Sequence, residues 1–262
     1  MSVFRRFNVK SLTRVEGEGS LRVRVVDGAI EIAEFSIYEP PRFFERLVRG
    51  REVREVPDIV ARICGICPVA YQVTACEALE QALGITLTPG IRLLRRLLYC
   101  GEWIQSHALH VHLLHAPDFL GAESGFTLAV THPDLVNRGL RLKSIGTRIM
   151  EVIGGRAVHP VNVTVGGFYC SPAVADIRGL VPDLEWGLAA ALEMIAEVSR
   201  FDFPGPPHDY ACVSLRPAAG SPLDDGRISS TAGPGRAMAD YYRTVPEGVL
   251  NDRWMPWSPL LA

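Results

Sequence analysis

An α+β fold, mainly α, in which a small N-terminal antiparallel β layer sits on a helical-bundle body, is predicted by three features of the 262-residue sequence. The first forty residues alternate apolar and polar side chains. From Phe43 to Arg200 apolar residues recur at helical spacing between Pro starts and Gly stops. Beyond Phe203, clustered Pro and Gly break every long element.

In the β layer, Leu21, Val23 and Val25 alternate with Arg22 and Arg24, and Asp27-Gly28 is a strong hairpin signal. Ile30, Ile32, Phe35 and Ile37 form the return strand, with a change of parity near Ala33-Glu34 that predicts a bulge there. Pro40-Pro41 ends the layer. Helices are expected at 41–49, 57–64, 68–83, 90–114, 135–153 and 177–200. The last of these carries a broad apolar surface around Leu188 to Leu192. In the tail, 210–215 reads as a short strand and Asp225-Gly226 as a turn. The organisation is thus a β layer over 1–40, a helical body over 41–200 and an irregular Pro/Gly-rich tail over 201–262.

Bulk properties exclude several function classes. A formal net charge of −2 gives no electrostatic case for nucleic acid or an anionic membrane. No apolar run approaches the ~20 residues of a membrane span. Arg5 and Arg6 are not followed by the apolar segment of a secretory signal. Six scattered cysteines in this length argue for a reducing compartment rather than a disulfide scaffold. Arg92, Arg95 and Arg96 alternate with leucines and read as a solvated helix face.

The chemistry concentrates in Arg62-Ile63-Cys64-Gly65-Ile66-Cys67. Two cysteines separated by two residues can direct both sulfurs at one ion. Pro68 opens the helix that follows and Gly84 closes it. Cys67 therefore falls at a helix N-terminus, where free N–H groups and the macrodipole favour a thiolate. Gly65 is expected to permit a tight turn between the two sulfurs. Half of a structural zinc site and a redox disulfide are the plain alternatives. Zinc needs four ligands, and a redox pair would follow a βα step rather than a helix. His107 and His110, like His112 and His115, lie at i, i+3 on a long apolar helix, where packing is a simpler reading than chelation.

The wider sequence resembles the large subunits of nickel–iron hydrogenases. Arg62 to Cys67 matches their first cysteine motif, and Thr13-Arg14-Val15-Glu16-Gly17 their N-terminal motif, with Glu18-Gly19 where a His is usual. Phe43 to Arg51, Ser106 to His110 with Ala116-Pro117-Asp118-Phe119, and Gly154 to Pro160 with Gly166-Gly167-Phe168 continue it in the same order. Tyr71 stands where many members carry His, which is most similar to the cytoplasmic sulfhydrogenase branch. The family's second Cys-x-x-Cys has no counterpart, because Cys76, Cys100, Cys170 and Cys212 are isolated. The resemblance therefore implies the N-terminal part of one large-subunit domain over 1–262, with the C-terminal part missing.

What the resemblance implies is specific. Cys64 would be a terminal nickel ligand, and Cys67 a bridge between nickel and an iron carrying diatomic ligands. Glu16 would relay the proton of heterolytic hydrogen cleavage, Glu45 would bind magnesium, and Arg62 would orient a backbone or cofactor group. Electrons would leave through an iron–sulfur small subunit, and diaphorase-type NAD(P)/flavin subunits or sulfur would receive them. Against this oxidoreductase reading stand a non-catalytic interaction subunit that keeps the fold and, more remotely, a zinc-binding structural module. With half the thiolates, the isolated chain is expected to be inactive.

Overall fold

The computed structural model describes residues 3–40, 42–203, 205, 212–217, 226–231, 247–250 and 253–256. The chain divides into two compact units, Met1–Phe201 and Asp202–Ala262.

The first unit opens with a three-stranded antiparallel sheet in the order β1 (Phe4–Val9), β2 (Gly19–Val26), β3 (Ala29–Ile37). Asp27 and Gly28 both take positive φ, 48° and 85°, as the two-residue turn of a right-twisted hairpin requires. Arg22 pairs with Glu34 and Arg24 with Glu31 across β2 and β3. The register shifts between Arg24 and Val25, so the extra residue is Glu31 rather than one near Ala33-Glu34. The bulge falls on a charged residue whose carboxylate reaches its cross-strand arginine.

The helical body begins with α1 (Phe44–Val48), shorter than expected because Phe43 takes a left-handed conformation, φ 51°. Then follow α2 (Val56–Val60), a 3₁₀ turn at Ala61–Ile63, α3 (Pro68–Leu83) and α4 (Pro89–Leu109). Gly84 ends α3 at φ 68°. The Thr88 hydroxyl caps α4 by accepting from the Ile91 N–H at 3.4 Å. At its far end α4 passes into a π-helical turn, His110–His115, and then α5 (Ala116–Phe119). A helix not anticipated from the sequence, α6 (Gly125–Thr131), precedes α7 (Pro133–Gly154). A short hairpin, β4 (Val163–Thr164) and β5 (Gly167–Phe168), leads to α8 (Val174–Arg178) and α9 (Val181–Val198). The single helix expected over 177–200 is thus two, broken at Gly179-Leu180.

The core lies where α3, α4 and α7 meet. Val69, Cys76, Leu98, Ile149, Met150 and Ile153 are fully buried there. The helices α4 and α7 approach backbone to backbone at Gly101 and Gly146. A Cβ on Gly146 would lie 2.5 Å from both the Gly101 carbonyl oxygen and the Gln105 nitrogen. Beside this contact a buried ion pair joins Glu80 of α3 to Arg95 of α4 through two hydrogen bonds, at 2.9 and 2.6 Å. Arg95 also donates to the Thr164 carbonyl at 2.9 Å, and Glu80 accepts from the Gly166 N–H at 2.7 Å. One polar network therefore fastens the β4–β5 hairpin to two helices.

The π turn reorders the histidines. His110 and His115, not the i, i+3 pairs, come together, with ring centroids 4.2 Å apart. His112 turns into the core, where its Nδ1 meets the Ala108 carbonyl at 3.1 Å. It fits only because Gly139 has no side chain, since a Cβ there would lie 2.5 Å from the imidazole.

The second unit contains two antiparallel hairpins, β6 (Val213–Pro217) with β7 (Gly226–Ser230), and β8 (Glu247–Leu250) with β9 (Arg253–Pro256). The expected strand over 210–215 is placed at β6; Tyr210 and Asp225 lie outside the described residues. Among the described residues no helix is long and apolar enough to cross a membrane.

The α4–α7 contact predicts that Gly146→Ala, which pushes a methyl group into backbone, lowers unfolding free energy by about 2 kcal/mol or more. Gly90→Ala, where a Cβ meets nothing within 4 Å, is the control and should change little. Urea denaturation of the two variants checks it.

Candidate metal centre

The cysteine motif is the passage from α2 to α3. After the 3₁₀ turn Cys64 is extended, φ −141° and ψ 136°, and the chain bends through Gly65 and Ile66 to Cys67, the N-cap of α3. The N–H groups of Ile66 and Cys67 both point at the Cys64 sulfur, at 3.4 and 3.2 Å. The Cys67 thiol is itself within hydrogen-bonding reach of that sulfur. Both cysteines are half-buried. Gly65 is not in a left-handed conformation, and a Cβ there would meet nothing within 4 Å. The turn needs no glycine; what Gly65 provides is an open approach beside the sulfurs.

Two groups not singled out from the sequence hold this turn. The Arg42 guanidinium donates to the carbonyls of Arg62 and Ile63, at 3.3 and 2.6 Å, and lies 5.2 Å from the Phe44 ring centroid. From the other side, Glu102 of α4, only 2% exposed, accepts from the Val69 N–H at 2.6 Å and the Ala70 N–H at 3.2 Å. No sequence signal marks either role, because each depends on two distant segments being neighbours.

These contacts reverse the expected electrostatics of Cys67. The first free N–H groups of α3 are taken by Glu102 and do not face the sulfur. Burial, the neighbouring Cys64 and the carboxylates of Glu102 and Glu16 push the Cys67 thiol up to about 12. A thiolate at Cys67 thus requires a cation beside it, as a bound metal would be. Glu102 is itself pushed up to about 7, because burial outweighs its two backbone hydrogen bonds. The Tyr71 phenol is raised by burial and then by both cysteines, with Arg42 opposing them.

Glu16 lies in the loop between β1 and β2. Arg14, in a left-handed conformation at φ 65°, anchors that loop to α5 through two hydrogen bonds to Asp118, each 3.1 Å. The anchoring sets the exposed Glu16 within electrostatic reach of both Cys67 and His110. Burial first, then His115 and His107, lower the pKa of His110, and Glu16 opposes them.

The remaining candidates lie apart from the sulfurs or act through backbone. Glu45 is on the exposed α1, its carboxylate paired with Arg49 at 2.9 Å. The Arg62 side chain is exposed, and its charge acts on Asp58, one turn earlier; only its carbonyl, held by Arg42, serves the motif. Among the described residues no group of three or more His, Cys, Asp or Glu side chains is arranged to hold a metal ion. The donor set is therefore the two sulfurs of Cys64 and Cys67. That fits half of a thiolate site for a soft metal.

Comparison with known proteins gives this half-site a context. Residues 42–134 match the family model described as nickel-dependent hydrogenase. The alpha subunit of sulfhydrogenase 2 from Pyrococcus furiosus is 42% identical over 166 residues, which cover 63% of this chain and 40% of that protein. The alpha subunit of sulfhydrogenase 1 from the same organism is 34% identical over 211 residues, or 79% and 49% respectively. A crystal structure of an NAD+-reducing [NiFe]-hydrogenase in the H2-reduced state superimposes with a TM-score of 0.85 at 27% identity, covering 97% of this chain and 62% of that one. The chain spans between two fifths and one half of the length of these two curated relatives.

Glu102 makes a signed prediction. Its carboxyl holds a proton in the folded state up to about pH 7, whereas the unfolded chain releases it near 4.5. Stability should fall as pH rises between those values, by at most about 1.4 kcal/mol per pH unit, and level off above them. In Glu102→Gln this part of the slope disappears. Urea unfolding of both proteins at pH 5 and pH 8 measures the difference.

Proposed function

We propose, from the premise that this chain belongs to the nickel-dependent hydrogenase family, that it supplies the Cys64–Cys67 half of a hydrogenase metal centre. One observation carries the reading. The Cys64 sulfur accepts from the Cys67 N–H at the start of α3, the two side chains interact, and a loop from far upstream sets Glu16 within electrostatic reach of Cys67. A nickel–iron centre, when bound, supplies the heterolytic splitting of hydrogen; its thiolate ligands here are Cys64 and Cys67.

The other residues prepare and serve that site. Arg42 and Glu102 fix the backbone on either side of the sulfurs. Glu16, exposed and within electrostatic reach of Cys67, takes up the released proton and passes it outward, a role suited to a carboxylate that solvent can reach. Arg62 contributes by its backbone position. Glu45 belongs to a magnesium site if its pairing with Arg49 gives way, with the other oxygen ligands drawn from outside the described residues. Electrons pass to an iron–sulfur small subunit and on to a nicotinamide- or sulfur-linked acceptor, with diaphorase-type subunits in the first case. The setting is cytoplasmic, and residues 1–262 are the N-terminal part of one large-subunit domain.

A second reading, a fold-retaining interaction subunit, is favoured by the donor count: the described residues converge two sulfurs and no third ligand of the usual kind. The two readings part in a single experiment. Purified alone, the chain should bind nickel weakly, show a nickel–thiolate charge-transfer band, and lose the metal to a chelator. Cys64→Ser and Cys67→Ser should each weaken the band, the double substitution should abolish it, and Cys170→Ser should leave it. Coexpressed with a segment bearing a second Cys-x-x-Cys and with a small subunit, the wild type should gain hydrogen-dependent dye reduction, and Glu16→Gln should slow it at least about tenfold. A nickel band that survives loss of both cysteines would refute the metal assignment. Dye reduction by the chain alone would refute the half-site.

A further inference from the structure

The first turn of α3 starts from an unusual position. Its N-cap residue, Cys67, makes no side-chain hydrogen bond to the helix, and Pro68 at the first helical position has no N–H to offer. The first donors that need a partner are the N–H groups of Val69 and Ala70, the pair that an N-cap Ser, Thr, Asn or Asp would normally satisfy. Val69 is fully buried, so water cannot stand in. A cysteine is a poor cap, because sulfur accepts weakly, and this one is turned toward Cys64.

Glu102 fills the gap from another helix. Its two carboxylate oxygens divide the work, Oε2 accepting from Val69 at 2.6 Å and Oε1 from Ala70 at 3.2 Å. The residue is anchored as few glutamates are. Its neighbour Gly101 sits where a Cβ would lie 2.9 Å from Ile149 and 3.0 Å from the Gly146 carbonyl oxygen, so the α4 backbone cannot slide against α7. Burying a carboxylate is a costly way to cap a helix when a serine at the N-cap would do it locally. The arrangement makes sense if the N-cap side chain must be kept free for something else.

We infer that Glu102 is a positioning residue: a cap supplied in trans by α4 that fixes the first turn of α3 and leaves the Cys67 sulfur free to face Cys64. The inference deepens the metal-site reading and rests on it, because only a sulfur needed elsewhere explains why the cap is borrowed. Cys67 is thereby referenced to the α4–α7 core, not to the loop that carries it. Arg42 does the corresponding work for Cys64 through the carbonyls of Arg62 and Ile63.

The test uses the full chain and three proteins: wild type, Glu102→Ala and Glu102→Gln. Circular dichroism establishes that each variant is folded. Amide hydrogen exchange is then read residue by residue. In Glu102→Ala, exchange at both Val69 and Ala70 should accelerate about tenfold or more, as expected for leaving a buried donor without its acceptor, while amides in the last two turns of α3 keep their rates. Glu102→Gln retains one acceptor oxygen, so one of the two amides should stay protected. That one-of-two signature separates a clamp from a general loss of packing. With nickel(II) alone as the probe, the charge-transfer band should weaken severalfold in Glu102→Ala and recover partly in Glu102→Gln. Unchanged exchange at Val69 and Ala70 in Glu102→Ala would overturn the clamp. An unchanged nickel band with accelerated exchange would overturn its role toward Cys67. The exchange arm needs no metal, so a wild-type chain without a nickel band counts against the metal reading and still leaves the clamp to be judged.

Discussion

Two helices of this protein touch backbone to backbone, and most of what positions its cysteines is fastened to that contact. At Gly101 and Gly146 there is no room for a β-carbon on either side. The α4–α7 pair is therefore held in one register, and the side chains that α4 projects around Gly101 arrive at set places. Arg95 reaches Glu80 of α3 and the carbonyl of Thr164. Glu102 reaches the first turn of α3. Both ends of α3 are thus tied to α4 by buried charge, an arrangement that tolerates little displacement because each group would be left unpaired in the core.

Burial is the main influence on the Cys67 thiol of the half-site, ahead of the neighbouring Cys64. The carboxylates of Glu102 and Glu16 add smaller effects in the same direction. Left to itself such a thiol is inert. Next to a divalent cation the same carboxylates become favourable, since they compensate the metal's charge and Glu16 offers a base for a departing proton. A site built this way discriminates between having a metal and not having one more sharply than a site with preformed thiolates would. The polar surroundings of Cys64 and Cys67 differ too: backbone amides point at the first sulfur, and the carboxylates of Glu102 and Glu16 act on the second only through their charge.

Local sequence codes were legible, and contacts that depend on tertiary neighbours were not. Pro68 and Gly84 bracket α3 as a reader of helix punctuation would place them, and Asp27-Gly28 makes the turn that its composition demands. The cysteine pair announced itself by spacing. The ionisation of Cys67 is not legible, because the helix N-terminus that the sequence shows as free has its donors occupied by Glu102 from another helix. The histidines depart from the α-helical period because the chain passes through a π turn, which pairs His110 with His115 and sends His112 inward to pack, in line with the packing reading. Glu45 shows the limit of carrying a motif position over. Its place in the order of motifs carries no information on the exposed ion pair it makes with Arg49.

The central claim is that Cys64 and Cys67 bind one metal ion together. Nickel K-edge X-ray absorption on the nickel-loaded chain tests it most directly. Two sulfur scatterers should appear in the first shell of each nickel, and Cys67→Ser should reduce them to one while Cys170→Ser leaves both. A first shell made only of nitrogen and oxygen in the wild-type chain would contradict the account.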